Sequence, residues 1–170
     1  MADDLKIEPP VPDRPPRSVG FLISQLGFFS SQRFAEALEP AGIRPGEFLL
    51  MRFVDASEGE SQRALAERLG VPASRMVARI DLLEERGLLE RRVDPEDRRV
   101  RRLHLTEKGR EVLARAAEVA IDYEQRLCSS LDDDERDQLI DLLQRLQSEQ
   151  TELRGVHPGL ASEHPARTPR

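Results

Sequence analysis

The order of elements over residues 61–105 constrains the fold more than any other feature of this sequence. Two short amphipathic stretches flank a Gly-Val-Pro turn at residues 70–72, and two stretches rich in branched residues flank the Asp-Pro-Glu-Asp segment at residues 94–97. Apolar spacings of three and four residues predict helices, and branched residues around a charged turn predict a hairpin. Residues 61–105 are therefore predicted to fold as helix, tight turn, helix and two-stranded hairpin.

Local signals predict where these elements begin and end. Ser61 is placed to cap the first helix, and Gly70 is placed to end it in a left-handed conformation. The second helix is predicted over residues 73–86, and the hairpin strands over residues 88–93 and 100–105. The side chains of the second helix that are expected to face inward are Met76, Val77, Ile80 and Leu83.

Amphipathic stripes outside this segment predict four further helices. One covers residues 17–38, and one begins at Pro45, a residue suited to a first turn. A long helix follows the predicted cap Thr106, and a last one follows a capping box formed by Asp132 and Glu135. The proline-rich ends, residues 1–16 and 154–170, are predicted to be a disordered arm and a flexible tail.

The charge of the chain is unevenly distributed along the sequence. The whole chain has a net charge of −6, yet residues 61–110 contain 13 Lys/Arg and 9 Asp/Glu, a net of +4. A basic segment within an acidic chain favours a polyanion site, although a solvated charged surface is the alternative.

Arginines are concentrated on two of the predicted elements. Six of them fall within the 12 residues 91–102 of the hairpin. Arg75 and Arg79 lie four residues apart on the second helix, where arginine can bind guanine or phosphate. A hairpin tip with Arg98 and Arg99 has the shape to enter a narrow minor groove, where inserted arginine is attracted. The alternatives are an exposed helix with two surface arginines and a charged edge hairpin.

Four sequence segments together resemble the MarR family of winged-helix transcriptional regulators. The resemblance covers about residues 20–150, and the most specific part is Asp-Arg-Arg followed by Leu-Thr-x-x-Gly. The segments are Leu-Ala-Glu-Arg-Leu-Gly-Val at 65–71, Leu-Leu-Glu-Glu-Arg-Gly-Leu-Leu at 82–89, Asp-Pro-Glu-Asp-Arg-Arg at 94–99 and Leu-Thr-Glu-Lys-Gly at 105–109.

The resemblance implies a mainly α fold, with a winged helix-turn-helix DNA-binding region at residues 43–106 and a two-stranded β-hairpin wing. It also implies a homodimer that forms through helices at residues 17–42 and 107–153. This dimer would bind a pseudo-palindromic double-stranded DNA operator. Arg99 is expected to enter the minor groove, with Asp97 fixing its guanidinium. The DNA-binding residues expected in all are Ser61, Ser74, Arg75, Ala78, Arg79, Arg92, Asp97, Arg98 and Arg99.

The resemblance further implies release from DNA by a small aromatic or phenolic effector. Phe48, Met51, Arg52 and Tyr123 are candidates to line its crevice, and ordinary core or surface roles are the alternative. Some members of the family sense oxidants through a cysteine in the first helix. The single Cys128 falls late in the fifth predicted helix, so an inert thiol is expected.

Other classes of function find little support in the sequence. No nucleophile, acid–base or metal constellation has catalytic spacing, so neither an enzyme nor a bound cofactor is expected. No apolar run is long enough to span a bilayer and no export signal is recognised, which favours a cytoplasmic protein, and the arginine-rich usage suggests a bacterial one. The main hypothesis is a DNA-binding repressor; the alternative is a winged-helix module that binds an acidic protein.

Overall fold

A computed structural model of the chain describes residues 18–150 together with Leu160. The chain divides into two units between Arg33 and Phe34, inside its first helix. The arm predicted over residues 1–16 lies outside the described residues. The same holds for the tail predicted over residues 154–170, apart from Leu160, which is buried.

Helix α1 runs from Val19 to Leu38, which confirms the first predicted helix. The described part of the first unit consists of this helix up to Arg33. Its apolar side chains are exposed: Leu26 is 59% accessible and Phe28 is 68% accessible. This helical segment therefore presents an apolar surface that its own unit does not cover.

The second unit contains the other helices and the hairpin, in the predicted order. After a single 3₁₀ turn at Glu39–Ala41, its elements are α2 (Pro45–Ala56), α3 (Gln62–Arg68), α4 (Ala73–Glu85), β1 (Leu89–Val93), β2 (Arg101–Leu105), α5 (Glu107–Leu127) and α6 (Asp133–Gln150). The mainly α class with a two-stranded antiparallel hairpin is thus confirmed.

One hydrophobic core joins α2, α3, α4, the hairpin and the first half of α5. Helix α4 contributes Met76, Ile80 and Leu83, which are fully buried, as predicted from their spacing. The inward placement of Val77 was wrong, because this side chain is 39% exposed. Its position lies one residue past the buried stripe, where the helix has already turned away from the core.

A third chain segment pairs with the hairpin, which the sequence did not predict. Strands β1 and β2 pair in antiparallel register, with Leu89 opposite Leu105. On the other side of β2, Ser61 forms a bridge with Arg102, and the Leu103 amide donates to the Glu60 carbonyl at 3.0 Å. The residues just before α3 therefore form an extended segment that ties the start of α3 to the wing.

The predicted helix ends are confirmed by hydrogen bonds. The Ser61 hydroxyl accepts from the Ala64 amide at 3.2 Å, and Gly70 has φ 62°. At the start of α6, Asp132 accepts from the Glu135 amide at 2.8 Å, while Glu135 accepts from the Asp132 amide at 3.0 Å. Each bond satisfies a backbone group that a helix terminus leaves unpaired.

The Leu-Thr-x-x-Gly segment joins α5 closely to the start of the wing. The Thr106 hydroxyl accepts from the Gly109 amide at 2.9 Å and donates to the Gly87 carbonyl at 2.7 Å, and the Thr106 amide donates to Leu88. A Cβ built on Gly109 would lie 1.9 Å from the Leu88 carbonyl oxygen. The close approach of the two backbones therefore requires glycine at position 109.

We expect Gly109→Ala to lower the free energy of unfolding by about 1–3 kcal/mol, because the new methyl group forces α5 away from Leu88. Urea denaturation followed by circular dichroism measures the change. Glu111→Ala is the matched control, since Glu111 is exposed in the same part of α5. Equal stability of the two variants would show that the contact between the backbones is not required.

Candidate nucleic-acid interface

The first two turns of α4 present most of the predicted base-contacting side chains. Ser74 and Ala78 are exposed, whereas Arg75 and Arg79 are half-buried. Ser74 and Ala78 lie away from the buried Met76–Ile80–Leu83 stripe, and Arg75 and Arg79 lie beside it. Ser61, also predicted to bind DNA, caps the start of α3 and is half-buried.

The six arginines of the hairpin segment fall into two groups. Three of them form ion pairs with carboxylates: Arg91 with Asp81 and Glu84, Arg92 with Glu90, and Arg102 with Asp94. Within the described residues, the other three form no ion pair: Arg101 donates to the Arg98 carbonyl at 3.0 Å, and the guanidinium groups of Arg98 and Arg99 form no hydrogen bond either. The positive charge of the hairpin that lacks a carboxylate partner therefore lies at the wing tip and next to it.

Arg91 fastens the wing to the helix-turn-helix and is only 18% exposed. Its guanidinium lies 2.5 Å from Asp81 Oδ1, pairs with Glu84, and donates from Nε to the side-chain oxygen of Gln62 at 3.1 Å. One side chain of β1 thus contacts α3 and α4 together. Arg91 therefore connects elements inside the protein, although the sequence analysis grouped it with the arginines of the basic surface.

Asp94 organises the turn at the wing tip and was not among the predicted site residues. Its carboxylate is buried, accepts from the Glu96 amide at 2.7 Å and the Asp97 amide at 3.3 Å, and pairs with Arg102. The Glu96 amide, followed by the Arg102 guanidinium, lowers the pKa of Asp94 below its ordinary value. An aspartate directly before proline in a charged turn was the signal that could have revealed it.

Asp97 acts on the backbone of Arg99. Its carboxylate was predicted to fix the Arg99 guanidinium, but the contact in the structure is different: Oδ1 accepts from the Arg99 backbone amide at 2.9 Å. An aspartate in a turn commonly accepts from the amide two residues later. Asp97 thus shapes the tip without neutralising the guanidinium of Arg99.

Three of the four predicted effector-binding residues surround one aromatic cluster. The ring of Phe34 lies 6.1 Å from that of Phe48 and 5.2 Å from that of Tyr123, and the Arg52 guanidinium lies 5.9 Å from the Phe48 ring centre. Met51, the fourth residue, is fully buried in the core, and Phe48 is only 3% exposed. Contact of either side chain with an effector would require core side chains to move.

Cys128 is half-buried at the end of α5. Burial, followed by the nearby carboxylate of Glu124, raises the pKa of its thiol. Because the thiolate is the reactive form, this environment favours the inert thiol that the sequence predicts.

Two structural features bear on the other classes of function. Among residues 18–150, no helix combines the length and apolar character needed to cross a membrane. The same stretch holds no cluster of three His, Cys, Asp or Glu side chains arranged for a metal ion. His104 instead lies beside Glu58, with Nδ1 3.1 Å from the carboxylate, which lowers the pKa of Glu58.

Comparison with known proteins identifies relatives of this chain. A MarR family model matches residues 41–100. A putative transcriptional regulatory protein for the hcr operon of Thauera aromatica is 33% identical over 141 residues, which are 78% of this chain and 85% of that protein. These similarities span both the winged segment and the helices that flank it.

Solved structures show the same fold. The transcriptional repressor CouR, bound to a 23-mer DNA duplex, is 34% identical and superposes with a TM-score of 0.69, covering 76% of this chain and 92% of that one. CouR from Rhodococcus jostii RHA1 bound to p-coumaroyl-CoA is 32% identical, with a TM-score of 0.64 and the same coverage of both chains.

We expect Asp94→Asn to loosen the wing tip, because the neutral amide accepts more weakly and loses its ion pair with Arg102. Hydrogen exchange followed by NMR should show the Glu96 and Asp97 amides exchanging about tenfold faster than in the parent. Glu96→Gln, which changes an exposed carboxylate in the same turn, serves as the control and should leave both rates unchanged.

The protection of these two amides should also depend on pH. Because the folded pKa of Asp94 is lowered, its stabilising effect is complete above the ordinary aspartate pKa of about 3.9. The effect is lost as the pH falls from that value through the lowered folded pKa. Protection in Asp94→Asn should lack this acid-dependent step, and an identical step in the variant would contradict the assignment.

Proposed function

Because the chain belongs to the MarR family of transcriptional regulators, we propose that it binds a pseudo-palindromic DNA operator as a homodimer and represses transcription. In this proposal a small aromatic effector releases it from the operator. The observation that carries the proposal is the wing tip, where among the described residues the guanidinium groups of Arg98 and Arg99 form no ion pair or hydrogen bond, whereas those of Arg91, Arg92 and Arg102 pair with carboxylates.

The wing tip supports insertion into the minor groove. Asp94 and Asp97 hold the turn through backbone amides, and no carboxylate of the described residues pairs with the guanidinium of Arg99. A narrow minor groove has an enhanced negative potential that attracts such a side chain. Arg98 and Arg92 flank this position and would contact the phosphates on either side.

Helix α4 supports binding in the major groove. Ser74 and Ala78 lie exposed on its first two turns, with Arg75 and Arg79 beside them. The N-terminal residues of a recognition helix are the ones that contact base edges in this type of fold. Ser61, at the start of α3, is placed to contact a phosphate. The duplex bound to the related repressor CouR supports this mode of binding.

The exposed apolar faces of α1 and α6 support a homodimer. Leu139, Leu143 and Leu146 follow one face of α6, and each is more than 40% exposed. Apolar stripes of this length on a single chain indicate a partner surface. A two-fold dimer would place two copies of α4 about 34 Å apart, one turn of B-form DNA, as a palindromic operator requires.

The aromatic cluster supports an effector of aromatic character. Phe48 and Tyr123 contact Phe34, and Arg52 provides a positive charge beside the Phe48 ring. An aromatic acid or its coenzyme A ester matches this combination of rings and charge. The p-coumaroyl-CoA bound to the related CouR is a molecule of this class.

We expect Arg99→Ala to weaken operator binding by about tenfold or more, because it removes the minor-groove contact in both subunits. The melting temperature should change by less than about 2 °C, since the Arg99 guanidinium forms no ion pair or hydrogen bond among the described residues. Fluorescence anisotropy on a duplex from the chain's own upstream region measures the affinity, which should fall steeply with salt.

Arg115→Ala is the matched control, since it removes the same charge from an exposed position on α5. Equal affinity of the Arg99→Ala and Arg115→Ala variants would contradict minor-groove binding by the wing. A protein that used its basic face for an acidic partner would protect no palindrome in footprinting at physiological salt.

We expect Leu143→Glu to raise the dimer dissociation constant at least about tenfold, because it places a charge in an apolar interface. Analytical ultracentrifugation measures the dissociation. Gln144→Glu adds the same charge to the next position of α6, away from the leucine face, and should leave the dimer intact. A monomeric parent protein would refute the dimeric part of the proposal.

We expect p-coumaroyl-CoA, or the free phenolic acid, to raise the melting temperature by about 4 °C or more at saturating concentration. The same compound should lower operator affinity, because it stabilises a state that binds DNA less well. Arg52→Ala should reduce both effects, and coenzyme A alone is the control. An effector that stabilises the protein without releasing DNA would contradict the repressor mechanism.

A further inference from the structure

Helix α4 carries an exposed stripe whose centre is apolar. Ser74, Val77, Ala78 and Asp81 occur at helical spacings of three, four and seven, so they lie along one face. Val77 is 39% exposed, whereas Met76 next to it is fully buried. The stripe begins with a hydroxyl, continues with two hydrocarbon side chains and ends with a carboxylate.

The two ends of the stripe differ in what they can offer a ligand. The carboxylate of Asp81 is occupied by Arg91, whose guanidinium lies 2.5 Å away. This ion pair offsets the negative charge that would otherwise face the phosphates of a duplex. The Ser74 hydroxyl at the other end remains exposed. The middle of the stripe has neither donor nor acceptor, so Val77 and Ala78 cannot hydrogen-bond a base.

The exposed valine at the centre of this stripe contributes little to the stability of the chain itself. Valine is a weaker helix former than alanine, glutamate, lysine or arginine, and an exposed valine buries little surface against the core. Contact with a bound duplex would bury this side chain. In the major groove of DNA, the apolar group presented at the base edges is the 5-methyl group of thymine.

We propose that Val77 is a specificity-determining residue that contacts the 5-methyl group of a thymine in each half of the operator. The small Ala78 beside it leaves room for the base edge to approach, and Ser74 contacts the neighbouring base or phosphate. This inference rests on the proposed binding of DNA and adds a particular chemical feature that the operator must have.

The experiment begins by selecting a binding site, so that no operator need be known beforehand. The full-length protein is used to enrich duplexes from a random library, and the enriched consensus is synthesised. Each thymine is then replaced by deoxyuridine, which removes only the 5-methyl group. Affinity is measured by fluorescence anisotropy for the parent and for Val77→Ala, which retains a good helix former at an exposed position.

At one thymine in each half-site, we expect deoxyuridine to weaken parent binding about fourfold, the factor expected for one buried methyl-sized group. Val77→Ala should bind the thymine duplex more weakly than the parent and should no longer distinguish thymine from deoxyuridine there. Leu82→Ala is the matched control: Leu82 is 41% exposed on the same helix, one turn after Ala78 and farther from the N-terminal residues that contact base edges. It should retain the full thymine preference.

The possible failures are distinguishable. Absence of any enriched sequence would overturn sequence-specific DNA binding and this inference with it. An enriched consensus whose affinity is unaffected by every thymine replacement would overturn this inference alone. If Val77→Ala keeps the parent's thymine preference, the methyl contact belongs to another side chain and the assignment to Val77 is wrong.

Discussion

The placement of the wing relative to α4 depends on the guanidinium of Arg91. This side chain leaves β1, pairs with Asp81 and Glu84 on α4, and reaches Gln62 on α3. Removing one partner of such a half-buried cluster leaves the others uncompensated, so the whole arrangement is cooperative. The helix proposed for the major groove and the hairpin proposed for the minor groove are therefore held as one rigid unit, with the spacing between them built into the fold.

The same cluster explains why arginine content alone overstates the basic surface. Residues 61–110 carry a net charge of +4, and the hairpin contributes half of their arginines. Arg91 and Arg102 are used inside the protein, where they hold α4 and the Asp94 turn. Within the described residues, the positive charge of the hairpin that remains for a polyanion lies on Arg98, Arg99 and Arg101, at its tip and next to it.

The sequence predicted features that depend on neighbouring residues, and it missed those that depend on distant ones. Ser61 and Thr106 accept from amides one turn away, and Gly70 ends its helix through its own positive φ, so local spacing was sufficient. The pairing of residues 59–61 with β2 joins segments about forty positions apart, and no local pattern encodes it. Val77 was misplaced for a related reason: an apolar residue beside a core stripe has the same spacing signal whether it faces the core or a ligand.

The junction of α5 with the segment before β1 has a mechanical consequence. The Thr106 amide and hydroxyl hold the carbonyls of Leu88 and Gly87, and Gly109 lies against the same backbone. Those two carbonyls belong to the link that connects the end of α4 to the wing. A displacement of α5 would therefore act on α4 and on the wing at once. A molecule that binds far from the DNA-binding face could move these two elements together by displacing α5.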